Sequence, residues 1–320
     1  MLRQQGVDPE VAPRLAAEAG DPFLGAVERR VLEDGRSPSD LEHEACAQAL
    51  ERSGVAPDEV DLLLTFSHLA DVAAPSNAPL LADRLGLRSD VLAFGAEREG
   101  ASLPMHLELA ARLIGTGRYR HALLVQSAIT SRLSNPANIT SRVLGDAAVA
   151  TVMGPVPVGQ GFVDAGHATL GSFHRMAQLL PQPDHWATPW YDGEAHRSKL
   201  TWQSPDPALS RRMGAQLATV FESVAVPLLA RAGVEASDLD WLVSYEPRPW
   251  APAVFCERLG LGPEQTVSRF AQVGYPLAAS VGLALEALAD SGRASAGDLV
   301  LIYSKGSGAH SSAVLFRWCG

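Results

Sequence analysis

The run AFGAEREGASLPMHLELA (93–110) places Glu97, Arg98 and Glu99 directly before Gly100 and Ser102, in a loop leading into an apolar helical pattern. A carboxyl buried in such a loop has its pKa raised and becomes a general base. The alternative is that Glu97 or Glu99 forms a salt bridge with Arg98. Ser102 is either a nucleophile or a helix N-cap, and the Leu103-Pro104 that follows, with proline in the first turn, suits the cap. His68 and Asp71 are candidate acid/base groups, and Lys305, beside Gly306, either pairs with a carboxylate or phosphate or points to solvent. His167, His174, His185 and His196 lie scattered without HxH, HxxxH or Cys/His spacing, so neither metal nor cofactor is expected. Cys46, Cys256 and Cys319 are odd in number and far apart, and read as small apolar groups in a reducing, cytoplasmic setting.

The elements that hold these residues follow from composition and pattern. The 320 residues carry 26 basic and 36 acidic side chains, net charge −10, which excludes a general nucleic-acid binder and disfavours an anionic membrane face. A 47% hydrophobic, 19% charged chain packs a large core, and no signal-type apolar segment or membrane-length run is expected.

The chain also repeats itself. ALERSGVAPDEVDLLLTFS (49–67) matches LLARAGVEASDLDWLVSYE (228–246) without a gap, pairing Gly54 with Gly233 and Asp61 with Asp240. DRLGL (83–87) then pairs with ERLGL (257–261), Gly100 with Gly274, and TGRYRHALLVQS (116–127) with SGRASAGDLVLIYS (291–304). Each unit reads as a helix ending at glycine, a short buried strand (VDLLLTF or LDWLVSY), a helix (76–86 or 250–259), a further helix (102–115 or 277–291) and two closing strands. That is an α/β layered fold of two duplicated halves about a pseudo-dyad, with a site expected where equivalent loops meet. The halves are 1–155 and 216–320, and 156–215, rich in His, Trp and Pro, reads as an insertion capping the seam.

This doubled unit resembles the thiolase superfamily, and most closely ketoacyl-ACP synthase III. The motifs are GAVERRVLEDGRSPSD (25–40), LGDAAVA (144–150), LDWLV (239–243) and GDLVLIYSKGSG (297–308), with Trp318 near the end. The resemblance implies a thiolase-like five-layer αβαβα fold and, in the family, a Cys-His-Asn set, the thiolate sharpened by a helix N-terminus. Here the Cys position falls on Gly100, the His on Tyr245 (Tyr245-Glu246-Pro247-Arg248) and the Asn on Tyr275 (Gly274-Tyr275-Pro276). Gly306 resembles the glycine whose N–H binds the oxyanion. Tyr245 and Tyr275 are either hydrogen-bond donors to a carbonyl or fillers of a vacated site. The loop of His68 and Asp71 reaches the dimer partner's site in the family, and Ala74 there implies an enlarged acyl pocket. The family's usual first strand has no counterpart before Val7, and the Arg that helps hold coenzyme A falls on Asn138.

The expected function is therefore acyl transfer, cyclisation or condensation of an acyl thioester or carbonyl intermediate in polyketide or specialised metabolism, without a covalent cysteine. Tyr245, Tyr275, Glu99 and Gly306 would be catalytic, with Gly100, His68, Ala74, Ser102 and Glu246 binding substrate. The alternative is a non-catalytic partner of an active ketosynthase. Expected partners are an acyl carrier protein, docking on Arg211, Arg212, Arg248 and Arg258, or a small acyl substrate, with a homodimer or such a heterodimer as the assembly.

Overall fold

A computed structural model describes residues 6–134, 139–181 and 200–319. The first long helix shows how local chemistry sets an element. After α1 (Ala12–Glu18), α2 (Pro38–Ser53) begins at Ser37, whose hydroxyl accepts the Asp40 N–H while Asp40 accepts the Ser37 N–H. Pro38 occupies the first turn, and Gly54, at φ +67°, closes the helix in the left-handed region that favours glycine. The strand β1 (Val60–Ser67) follows. Leu62 and Leu64 enter the central core with Leu103 and Leu124, while Leu63 packs the other way against Cys46, Leu50 and Leu81. Both faces are buried, so the sequence is an unbroken apolar run rather than an alternating one.

The chain continues through α3 (Ala78–Arg84), β2 (Leu92–Gly95), α4 (Ser102–Ile114), β3 (His121–Ile129) and β4 (Asp146–Met153). These strands form one sheet in the order β2-β1-β3-β4, parallel except for β4. Next come β5 (Gly161–Thr169), β6 (Gln178–Pro181), β7 (Leu200–Gln203), α5 (Pro207–Ala215) and α6 (Leu217–Ala232). The last elements are β8 (Trp241–Ser244), α7 (Ala251–Leu259), α8 (Phe270–Val273), α9 (Ser280–Asp290), β9 (Leu299–Gly306) and β10 (His310–Arg317). A second sheet has the order β5-β10-β9-β8, with β8 and β9 parallel and the others antiparallel. The β8-β9-β10 set repeats β1-β3-β4, and a lone parallel bridge from Leu242 to Thr266 marks the place of β2.

The five layers follow. α2 and α3 cover the first sheet, α4 and α9 lie between the sheets, and α6 and α7 cover the second. This is the thiolase-like architecture that the resemblance implied. No single described helix is long and apolar enough to cross a membrane; α5 and α6 pass only as a pair bent by 59°, and much of α6 lies in the core.

Two expectations need correcting. Residues 161–169, read as part of an insertion, form β5 and pair along β10 in the second sheet. The segment over the seam is shorter: Phe173 and Met176 pack with Ala309 of the β9–β10 turn, and β6 pairs with β7. His185, Trp186, Trp190 and His196 lie outside the described residues, as does Asn138. The second correction concerns the repeat around the central helices. Glu99 (φ +52°) and Leu277 (φ +40°) each open a 3₁₀ turn that runs into a helix at Ser102 and Ser280. The structural mate of Gly100 is therefore Ala278, not Gly274; the loop before α9 has a different length, which the ungapped sequence match hid.

Candidate active site

The site is built around the turn from β2 into α4. Glu99 is a non-glycine residue in the left-handed region, a costly conformation that only a tightly held turn sustains. Ser102 supplies part of that hold. Its hydroxyl accepts the Arg98 N–H at 2.9 Å and donates to the Glu99 carbonyl at 2.7 Å. Ser102 is fully buried and is the first residue of α4; Ala101 is the cap position. The expected N-cap is thus a brace for the preceding turn, and the hydroxyl is committed. Below it, His106 donates from Nε2 to the Ala96 carbonyl at 2.8 Å, so Nδ1 is left to accept from the Gln126 amide at 2.9 Å. Burial pushes the His106 pKa down to about 4, so the ring stays neutral.

Gly100 sits under the β9–β10 turn. A Cβ built there would lie 2.6 Å from the Lys305 carbonyl oxygen and 3.2 Å from the Gly306 Cα. One on Gly306 would meet the Glu99 Cβ and the Gly100 nitrogen, each at 2.6 Å. The Ser304 hydroxyl donates to the Gly100 carbonyl at 2.6 Å and locks the two turns together. Two glycines in opposed backbones permit this approach, and a side chain at residue 100 does not fit it. Gly100→Cys is therefore expected to lose about 1–3 kcal/mol of stability by overpacking and to take up no acyl group from an acyl thioester. Thermal melting and intact-mass measurement check both, and a stable, acylated Gly100→Cys protein would contradict the closed turn.

Glu99 faces the seam. Its carboxylate lies 3.1 Å from His68 Nε2, and the His68 and Glu99 side chains are 3% and 23% exposed. His68 is held between Phe66 and Trp202, with ring centroids 5.4 and 5.1 Å away. Burial pushes the Glu99 carboxyl up, but the charge of His68, helped by His310, outweighs it and holds the group below its ordinary value, so the raised pKa expected of a buried carboxyl in this loop is not found. The salt bridge expected with Arg98 does not form. Arg98 instead donates to Ser312 at 2.8 Å and to the Ala168 carbonyl at 3.0 Å, tying the turn to β10 and β5. Glu97 is exposed.

Tyr245 and Tyr275 meet on the far side, their ring centroids 6.2 Å apart. Tyr245 also packs against Phe255 and Tyr303. Burial raises both phenol pKa values, and the nearby Glu99 charge raises that of Tyr275 further, so both stay protonated donors. Neither hydroxyl has a hydrogen-bond partner among the described residues. The turn, His68 and the two tyrosines thus converge at the seam.

Other candidates take different roles. Glu246, expected to bind substrate, is buried and accepts from Ser268 and from the Arg269 and Phe270 N–H groups, so its carboxylate caps α8. Asp71 accepts from the Ser39 N–H and hydroxyl. His68 reaches Glu99 of its own chain, where the resemblance implied a role in trans. Ala74 is exposed on the loop before α3. Lys305 has no ion-pair partner among the described residues, and burial pulls its pKa down to about 8. Cys46 lies in the outer core around α2 and Cys256 in the central core, both thiols pushed up by burial, Cys256 to about 12. Cys319 is exposed, so none of the three sulfurs stands at the turn.

Sequence reasoning missed His310 and Trp202. His310 follows the Gly306 turn, near Gly308 and His174, and its charge reaches Glu99. Its place four residues beyond the glycine was the available signal. Trp202 lies in the cap, where no periodicity marked it. The geometry also leaves four buried polar atoms here without an aligned hydrogen-bond partner: Glu99 Oε2, both ring nitrogens of His68, and Trp202 Nε1.

Two family models match the chain: 3-oxoacyl-[acyl-carrier-protein (ACP)] synthase III over residues 94–171, and its C-terminal part over 229–318. Together they cover more than half of the chain and span both the β2–α4 turn and the tyrosine pair. The chain belongs to the 3-oxoacyl-[acyl-carrier-protein] synthase III family. Among curated relatives of this synthase III family, one from Streptomyces coelicolor named beta-ketoacyl-[acyl-carrier-protein] synthase III 3 is 29% identical over 306 residues. The match covers 92% of this chain and 87% of that protein. A synthase III from Listeria monocytogenes is also 29% identical, over 92% of this chain and 88% of its own. The crystal structure of the Pseudomonas aeruginosa synthase III aligns with TM-score 0.79 at 25% identity, over 98% and 94% of the two chains. The priming beta-ketosynthase of the R1128 polyketide pathway aligns with TM-score 0.76 at 24% identity, over 91% and 85%, and shares the fold.

Proposed function

We propose that this synthase III-like protein acts on an acyl thioester or a related carbonyl intermediate of polyketide or specialised metabolism, by acyl transfer, cyclisation or condensation without a covalent cysteine. The observation that carries this reading is the buried Glu99–His68 pair, 3.1 Å apart at the strained turn. A buried titratable pair with a specific charge partner is a common mark of a functional site. The Glu99 charge reaches the buried Tyr275 phenol, at the turn where the family's nucleophile position falls.

The chemistry follows from the charge states. The Glu99 carboxylate, kept ionised beside His68, takes a proton from the carbon next to the substrate carbonyl. The resulting carbanion attacks the carbonyl carbon of a second acyl thioester, and that thioester's carbon–sulfur bond breaks. The thiolate so released takes the proton back from Glu99. The protonated phenols of Tyr275 and Tyr245, with the Gly306 N–H, donate hydrogen bonds to the oxygen on which negative charge develops. No bond from protein to acyl group forms, which fits the committed Ser102 hydroxyl and the closed turn at Gly100.

A small acyl substrate is favoured over a carrier protein as the delivery form. Arg258 is neutralised by Glu10 and Glu222, and Arg248 by Glu18, so two of the four arginines available for an acidic carrier are occupied. The assembly we propose is a homodimer in which β2, at the edge of the first sheet with Leu92 and Phe94 exposed, pairs with a second copy.

Tyr275→Phe is expected to lower the turnover of acyl thioesters by roughly 10²-fold, the usual effect of removing one oxyanion donor, and Tyr245→Phe by less. Release of free thiol measures this, and intact mass should stay free of an acyl adduct. An adduct on Ser102, or full activity in both tyrosine variants, would sink the proposal. A protein with no turnover that forms a stable complex with an active ketosynthase would make it a partner subunit instead.

A further inference from the structure

The carboxyl ends of the strands gather the chemistry of this molecule, and one group there has no assigned work. β1 runs into His68 and β8 into Tyr245, the turn after β2 holds Glu99, and β9 ends on Lys305 and Gly306. Beyond the carboxyl ends of parallel strands is where ligands bind in open α/β sheets. β8 and β9 are parallel neighbours, and the Tyr245 N–H donates to the Tyr303 carbonyl at 3.0 Å.

Alternation along β9 fixes the face that Lys305 occupies. Ser304 reaches the Gly100 carbonyl on one face, while the Tyr303 ring packs against Tyr245, Phe221 and Phe255 on the other. Lys305, two residues from Tyr303, shares the tyrosine face. Its cross-strand mate Ser311 lies on that face too, with Oγ 3.5 Å from the Tyr303 hydroxyl. The amine thus continues an aromatic wall, one residue before the Gly306 turn. It is partly buried, and no carboxylate among the described residues offsets its charge, so burial alone draws its pKa down to about 8. Of the 26 basic residues only Lys305 and Lys199 are lysines, and Lys199 lies outside the described residues. An arginine stays protonated, whereas a desolvated lysine offers a neutral amine near neutral pH.

We propose that Lys305 is a carbonyl-capturing nucleophile, whose amine forms a Schiff base with a ketone or aldehyde group of a substrate at the seam. It rests on the proposed function in one respect, that the seam receives a carbonyl compound. Nζ attacks the carbonyl carbon, and the π electrons of the C=O bond pass to oxygen. That oxygen takes one proton from the nitrogen and one from solvent, and leaves as water. A protonated imine, C=N⁺–H, remains, and water reverses the step to free the lysine. A thioester carbonyl would acylate the amine permanently, so the imine bonds a keto or aldehyde carbon and leaves the acyl carbon free.

The probe is 2-pentanone with sodium cyanoborohydride at pH 7, which reduces an imine to a stable secondary amine. Intact mass and peptide mapping read the label, with a lysine-containing peptide in the same mixture as reference. Lys305 is expected to be labelled about 10-fold faster than the reference or more, because its lowered pKa leaves far more neutral amine at pH 7 than an ordinary lysine has. Lys305→Arg and Lys305→Met should both lose the label. Label confined to Lys199 or the amino terminus, a Lys305 rate equal to the reference, or label persisting in both variants would overturn the proposal. Labelling needs no turnover, so a protein that labels Lys305 yet releases no thiol from acyl thioesters supports the imine and sinks the thioester reading. Thiol release with Lys305 unlabelled does the reverse.

Discussion

Glu99→Gln is expected to lower turnover of an acyl thioester by about 10²–10⁴-fold, the usual contribution of a positioned general base, while the protein stays folded. Glutamine keeps the shape of the side chain and its place in the strained turn, but it cannot accept a proton. The pH dependence separates this role from a packing effect. Burial raises the Glu99 carboxyl, but the His68 charge outweighs it and holds the pKa below its ordinary value, so the acid limb of the rate profile should fall below the ordinary carboxylate range and leave neutral pH flat. Stability carries the same signature. A group whose pKa is depressed on folding contributes stability above its unfolded pKa and loses it as pH falls through the folded one. The wild-type protein should therefore lose its advantage over Glu99→Gln only in acid. A Gln variant that turns over normally, or a limb near neutrality, would remove Glu99 from the chemistry.

Glu42→Ala is expected to cost about 3 kcal/mol or more, because it strands several buried donors at once. Glu42 is fully buried, and its carboxylate accepts from Ser67 at the end of β1, from Ser127 on β3 and, at 2.8 Å, from the Asn77 amide before α3. Those groups bracket the loop that carries His68, so Glu42 is a positioning residue for the Glu99 pair. Burial raises its pKa despite the three donors. A raised pKa makes its contribution complete below the unfolded value and progressively lost as pH rises through the folded value. The stability gap between wild type and Glu42→Ala, measured by denaturant unfolding, should narrow as pH rises. A variant as stable as wild type would mean that the loop is held by other contacts.

Much of the fold was legible in the sequence because duplicated chemistry gives duplicated structure. Gly54 and Gly233 both end helices at φ +67°, and VDLLLTF and LDWLVSY both became parallel strands buried on two faces. β5 was not legible as part of a sheet: GFVDAGHAT lies in a stretch whose histidines, prolines and tryptophans suggest loop, and its partner β10 is 141 residues from it, as the Thr169–His310 contact spans. The site was legible in part. The turn at Gly100 and the two tyrosines came from motif positions, but the Glu99–His68 pair depends on β1 and β2 running side by side. Nothing in the local run EREG says that Arg98 reaches β10 while Glu99 turns toward β1. The neighbouring Arg98 made a salt bridge the nearer expectation, and the backbone at Glu99 decided otherwise.

The left-handed residue before each central helix has a consequence for design. Glu99 and Leu277 occupy equivalent seats on a two-fold frame, and only one seat holds an ionisable group. The backbone strain is present at both, so the C-terminal half keeps the same geometry without a charge. Installing an acid at Leu277 would ask whether the scaffold, rather than the particular half, is what prepares a carboxylate for work; a second titrating group with a depressed pKa would mean that the frame alone suffices.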